Sequence, residues 1–165
     1  MNLELALALK DHNFNEQLIT IKNIIAQLPY GDPFLFVDTL DRLDEEGVDG
    51  SYTFREESHF YQGHFKDHPV TPGVLLTECC AQIGLVCLGI YLAGMQGIKK
   101  ASFAMSSSEM QFFLPVYPGE LVRVRSQKHY FRFNKLKCGV RMYNEQQQLV
   151  CKGILAGMLI TGGDE

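Results

Sequence analysis

Four residue types in the stretch Gly63–Gln82, GHFKDHPVTPGVLLTECCAQ, have the makings of acid–base chemistry. His64 sits beside a glycine in a loop, and imidazole is the side chain that gains and loses a proton near neutral pH. Glu78 and Gln82 are the strongly polar residues at the start of an otherwise apolar helix. Four residues apart, they share one helix face, one turn above the other. A carboxyl in apolar surroundings is costly to ionise, so Glu78 is a candidate general acid with a raised pKa. The helix opens at Pro72-Gly73, where the first N–H groups lack intrahelical partners and the positive end of the helix dipole faces outward. Such N–H groups, Gly73 foremost, can stabilise an oxyanion. Proline at this point fits, because its missing N–H would have gone unused.

The elements that must position these groups follow from periodicity. Residues 14–27 have helical spacing through Phe14, Leu18, Ile21, Ile24 and Ile25, and Pro29 ends that helix. Residues 1–12 form an N-terminal arm. A strand is expected from Pro33 through FLFVDTLDRL, with residues 44–47 as a turn and 48–56 as its hairpin partner. After the long helix, broken near Gly94 and Gly97, four strands are expected at about 101–113, 120–132, 136–144 and 149–161. In the second of these, Val122, Val124 and Tyr130 are expected to face the core. This order implies an α+β protein, an antiparallel sheet wrapped around one buried helix, with residues 1–165 forming a single domain.

Composition narrows the functions. The 165 residues carry a net charge of −4 and no run of Lys or Arg suited to nucleic acid. Five cysteines lie in apolar periodic segments without zinc-type spacing, which reads as reduced core residues in a cytoplasmic protein with no metal. Cys79 and Cys80 directly follow Glu78, so a Cys–His nucleophile has to be weighed, but paired cysteines on a buried helix usually serve packing. Residues 73–94 are long and apolar enough to raise a membrane-spanning reading. Glu78, Gln82, the glycines and the strands downstream favour a buried central helix and no membrane. His59 and His68 read as loop or surface residues.

The segments LPYGDPFLFVD (28–38), GHFKDHPVTPGVLLTECCAQ and FFLPVYPGE (112–120) together resemble the 3-hydroxyacyl-[acyl-carrier-protein] dehydratases of type II fatty-acid biosynthesis, over roughly residues 20–161. The resemblance implies a hot-dog fold, with a long helix lying in a curled antiparallel sheet. It implies a lyase that dehydrates a 3-hydroxyacyl thioester to the trans-2-enoyl thioester. His64 matches the catalytic base, Glu78 the catalytic acid, and Gly73 the glycine whose N–H polarises the thioester carbonyl. Gln82 would support and orient its neighbours, and Leu75, Ile83, Phe112 and Phe113 are candidates to line the acyl tunnel. The resemblance also implies a homodimer or higher homo-oligomer whose sites draw the histidine and carboxyl from different subunits. The substrate would arrive as a phosphopantetheine thioester on acyl carrier protein, with no other cofactor.

Three departures from the family pattern matter. Tyr30-Gly31 stands where a basic His-Arg pair is usual, Lys66-Asp67 where Pro-Gly follows GHF, and Phe113-Leu114 where basic residues precede PV.PG. Those basic residues help receive an acidic carrier, so a relocated patch of Lys66, Lys99, Lys100, Arg123 and Arg125 is expected. The drift favours a specialised lipid pathway, such as a polyene or polyketide route. Glu rather than Asp at position 78 argues against double-bond isomerisation. The competing readings are a hot-dog acyl thioesterase, which has no need of a histidine fourteen residues before the carboxyl, and a catalytically silent acyl-binding or assembly subunit.

Overall fold

The computed structural model describes residues 20–161. The arm expected at 1–12 and the first part of the helix expected over 14–27 lie outside these residues. Residues 20–26 are helical, and Ile21, Ile24 and Leu28 are buried, as the spacing implied.

Six strands follow: β1 (Thr39–Leu43), β2 (Gly47–Thr53), β3 (Ala101–Phe112), β4 (Leu121–Arg132), β5 (Lys135–Tyr143) and β6 (Leu149–Thr161). They form one antiparallel sheet in the order β1-β2-β4-β5-β6-β3. Between β2 and β3 the chain makes the central helix, Gly73–Met95, which packs against strands β2 to β6. This is the hot-dog arrangement. The helix has the length and hydropathy of a membrane span, but 72% of its most apolar window is buried inside the fold, and the sheet is what covers it.

The sheet can close this tightly because the helix is thin where the strands cross it. A Cβ on Gly84 would lie 2.8 Å from Val140 Cγ1, and one on Gly89 would lie 2.6 Å from the Phe103 ring. The helix also changes winding at its middle: Gly73–Ala81 is α-helical, Gln82–Cys87 is a π segment, and Leu88–Met95 is α-helical again. Widening the turn disturbs the regular carbonyl pairing. Within this segment the sheet supplies a donor, as the buried Ser126 hydroxyl on β4 donates to the Gly84 carbonyl at 2.8 Å.

Two expectations are corrected. The strand expected from Pro33 begins only at Thr39, because the Phe36 N–H is bound by a side chain of the central helix instead of a neighbouring strand. Phe36 and Val37 of the apolar run are nonetheless core: Phe36 packs 5.3 Å from Tyr52 and 6.0 Å from Phe54 between ring centroids. Periodicity sees the burial but not the partner of the backbone. In β4, Val122 and Val124 face the core as expected, but Tyr130 is only partly buried. The register shifts between Lys128 and Tyr130, and this irregularity resets the alternation, leaving the Tyr130 ring beneath the Arg132 guanidinium at 4.8 Å.

Gly84→Ala is expected to lower stability by about 1–3 kcal/mol through overpacking against Val140 and Ser126. Urea unfolding checks this, with a lower midpoint at unchanged slope.

Candidate active site

His64 lies at the end of a loop held rigid from both sides. The loop begins with a 3-10 turn, His59–Gln62, and the His64 N–H donates to the Phe60 carbonyl at 3.0 Å. Seven residues later Thr71 is buried, its hydroxyl 2.5 Å from that of Tyr61 and its N–H donating to the Val116 carbonyl at 2.8 Å. Between these anchors the Val70 N–H donates to the His64 carbonyl at 2.9 Å. The imidazole Nδ1 lies 2.7 Å from the Val70 carbonyl oxygen. A carbonyl can only accept, so Nδ1 carries a proton, and in the neutral ring Nε2 keeps its lone pair. That is the tautomer a general base requires. The ring stacks on Phe65, with centroids 4.2 Å apart, across a cis peptide bond. His59 and His68 are exposed, as expected, and the His68 ring meets the Tyr117 ring edge-on.

The central helix begins at Gly73, with Pro72 in extended geometry as its N-cap, one residue earlier than the first helical position favoured for proline. No side chain caps this end, and among the described residues neither the Gly73 nor the Val74 N–H has a hydrogen-bond partner. Two donors and the helix dipole therefore point outward together. The Phe112 ring packs over Gly73, 3.4 Å from where a Cβ would stand. The aromatic pair considered for an acyl tunnel is split: Phe112 lies over the helix start, while the Phe113 ring sits 5.7 Å from Lys152 Nζ. Ile83 is fully buried beneath Gly50 of β2, and Leu75 is partly buried.

Glu78 is half-buried, less enclosed than a proton-holding carboxyl was expected to be. One of its oxygens accepts a hydrogen bond from Gln82 Nε2 at 3.0 Å. Gln82 is wholly buried and uses its amide completely. Its Oε1 accepts from the Phe36 N–H at 2.7 Å, and Nε2 also donates to the Phe34 carbonyl at 2.9 Å. The carboxyl is thus tied through one amide to the irregular segment before β1. Gln82 is also the first residue of the π segment.

Tyr30 was passed over in the sequence except as a departure from a pattern. Burial, with the nearby Glu78 carboxylate next in effect, raises its phenol above the ordinary value. Its proximity to Glu78 comes from the turn at residues 29–34, which periodicity does not describe. The Val70 carbonyl was likewise invisible, since backbone groups leave no sequence signal.

Within one chain no hydrogen bond or ion pair joins His64 to Glu78. The thiols beside Glu78 have no thiolate character: burial pushes Cys79 well above its ordinary value, and the Cys79 thiol donates to the Phe36 carbonyl at 3.6 Å. All five cysteines are free and buried. Among the described residues no group of three or more His, Cys, Asp or Glu could hold a metal ion. The five cations expected to form one patch do not. Lys66 precedes the helix and Lys99-Lys100 follow it, separated by a helix ~34 Å long at 1.5 Å per residue, while Arg123 and Arg125 stand on β4.

Comparison with known proteins places the chain in a family and a fold. Residues 28–150 match the family model of the FabA-like domain. The chain is 32% identical over 151 residues to a 3-hydroxyacyl-[acyl-carrier-protein] dehydratase FabZ of Roseiflexus sp. (strain RS-1), covering 88% of this chain and all of that protein. It is 33% identical over 144 residues to the FabZ of Rhodospirillum rubrum, covering 86% and 88%. Among solved structures, the dehydratase heterocomplex ApeI:P from Xenorhabdus doucetiae superposes with a TM-score of 0.71 at 10% identity, covering 84% of this chain and 91% of that one. Thioesterase HI1161 from Haemophilus influenzae superposes at 0.54 with 16% identity, covering 77% and 80%. At those identities the two structures share the fold alone.

Gln82→Leu is expected to cost several kcal/mol, since it strands the Phe36 N–H and Phe34 carbonyl at roughly 1–3 kcal/mol each, and calorimetric melting measures that loss. Iodoacetamide is expected to leave all five thiols of the native protein unlabelled and to reach them only after denaturation, as mass spectrometry of the intact chain would register.

Proposed function

This chain belongs to the FabA-like family of 3-hydroxyacyl-[acyl-carrier-protein] dehydratases, and from that premise we propose that it removes water from a 3-hydroxyacyl thioester on acyl carrier protein to give the trans-2-enoyl thioester. The observation that carries this reading is the His64–Val70 bond, which leaves Nε2 as a base, on a chain that also keeps Glu78 and an open helix start at Gly73. In the reaction Nε2 takes the α-proton of the thioester. The Gly73 N–H donates to the carbonyl oxygen as negative charge gathers there. The electron pair then returns to form the α,β double bond, the C–O bond breaks, and the hydroxyl leaves as water with a proton from Glu78. Gln82 holds the Glu78 carboxyl in place. Leu75 and Phe112 flank the entry of the acyl chain. The residues present call for no metal or organic cofactor beyond the phosphopantetheine arm that carries the substrate.

The working unit in this proposal is a dimer in which His64 of one subunit faces Glu78 of the other. Strand β3 supports it. It is a twelve-residue edge strand, paired on one side only, and its unpaired side is a template for another strand. Two of its helix-facing residues are left largely uncovered as well: Met105 is 44% exposed and Phe112 48%. A second copy along β3 would cover both and complete the enclosure of Glu78. A thioesterase needs no base fixed in this way, so the His64 geometry favours the lyase.

His64→Ala and Glu78→Gln are each expected to lower the rate of water loss by roughly 10²–10⁴-fold, followed by mass spectrometry of the acyl carrier protein. Free acid released by the wild type would establish a thioesterase instead. Mixed and refolded together, the two dead variants are expected to regain activity, because a hybrid dimer holds one site with both native groups. A mixture that stays inactive while hybrid dimers form would place both groups of a site in one chain.

A further inference from the structure

The face of the sheet turned away from the helix carries a row of cations that, among the described residues, make no ion pair. Antiparallel register sets Arg125 on β4 opposite Arg141 on β5, and Arg141 opposite Lys152 on β6. Residues directly opposite stand about 5 Å apart at Cβ, and like charges so placed repel. The row is flanked by Asp49 at one end and Gln111 at the other. Asp49 is already engaged by Arg42 at 3.1 Å. Among the described residues no carboxylate forms an ion pair with Arg125, Arg141 or Lys152, and only ring faces hold two of them, Tyr143 for Arg125 and Phe113 for Lys152. The neighbouring anions are Glu46, which pairs with Lys128 at 3.6 Å, and Glu109. The row borders an open hollow of about 690 Å³ lined in part by Gly139, with the His129 imidazole lying over that glycine. In a chain of net charge −4 this is a local reversal of sign.

We propose that this row is the docking surface for the acidic, helical carrier protein that brings the thioester. The inference rests on the dehydratase reading and adds the face on which the carrier sits. Two features of the row fit that partner. The cations come from adjacent strands, which are ~4.8 Å apart, close to the 5.4 Å pitch of an α-helix, so a helix with carboxylates on successive turns meets one cation per strand. The row also runs toward the site: Lys152 lies against Phe113, whose neighbour Phe112 packs over Gly73 at the oxyanion end of the central helix. The strand neighbour therefore supplies a cation at Phe113, a position that is itself uncharged.

The test compares the full chain with Arg125→Glu/Arg141→Glu and with the milder Arg125→Gln/Arg141→Gln for affinity toward 3-hydroxyoctanoyl acyl carrier protein, by fluorescence anisotropy across a salt series. The expected result is a wild-type affinity that falls steeply with salt, a loss of ten-fold or more in the Glu pair, an intermediate loss in the Gln pair, and a flatter salt dependence in both. Melting temperature and gel filtration confirm folded protein, and Lys152→Glu replaces a pair that fails to fold. Unchanged affinity in the variants, or no binding by the wild type, overturns the proposal. Selective loss of binding to phosphatidylglycerol vesicles, with carrier affinity intact, would assign the row to a lipid surface and equally overturn it. Water loss is assayed in parallel. Carrier binding lost in the variants, from a wild type that turns over no substrate, would leave the docking surface standing and sink the dehydratase reading. Normal turnover with unaltered affinity would do the reverse.

Discussion

One buried amide holds the working parts of this molecule in register. Gln82 closes the Phe34–Phe36 segment onto the helix and, with its remaining N–H, fixes an oxygen of Glu78. A buried primary amide is tolerable only when its donors and acceptor are all used, and here they are. The same residue begins the π segment. The wide turn, the irregular backbone before β1 and the orientation of the carboxyl are thus one arrangement seen from three sides. Replacing the amide would loosen the fold and the site together.

The site is otherwise built at the helix start. A loop tied down by Tyr61, Thr71 and Val116 delivers an imidazole in a single tautomer, while an uncapped helix turn delivers two free N–H groups. Neither depends on burial of ionised groups, which would be costly. The proposed base is set by one hydrogen bond to a backbone carbonyl, while burial holds the Cys79 thiol protonated and a bond with the Cys151 thiol, then burial, does the same for Cys80.

Much of this was legible in the chain. The central helix and the last four strands fell within a residue or two of expectation, and β2 ended three residues early, because alternation and helical spacing report burial directly. His64, Glu78 and Gly73 stood out by chemical type. The failures share a cause. Phe36 and Val37 are apolar and buried without being in a strand, since the Phe36 N–H is satisfied by a glutamine 46 residues away. Tyr130 is displaced by a bulge that alternation cannot announce. The scattered lysines and arginines were grouped by sequence, whereas the actual cation row is assembled across three strands by register. Cross-strand neighbours are a property of pairing, and pairing is what a linear reading lacks.

The irregularity in β3 bears on which chains can share an edge. Ser106 drops out of the ladder with β6, its hydroxyl donating to the Ala156 carbonyl at 3.2 Å, and the register shifts between Met105 and Ser107. The free side of the strand therefore changes phase partway along. A straight foreign strand can match one half or the other but not both. Only an edge with an irregularity at the complementary place can bond along the full length, so the bulge works as a lock against promiscuous strand addition. In the dimer proposed above, fidelity of pairing in a crowded cell, where other open sheets compete for the same backbone groups, would then rest on a single bulged serine.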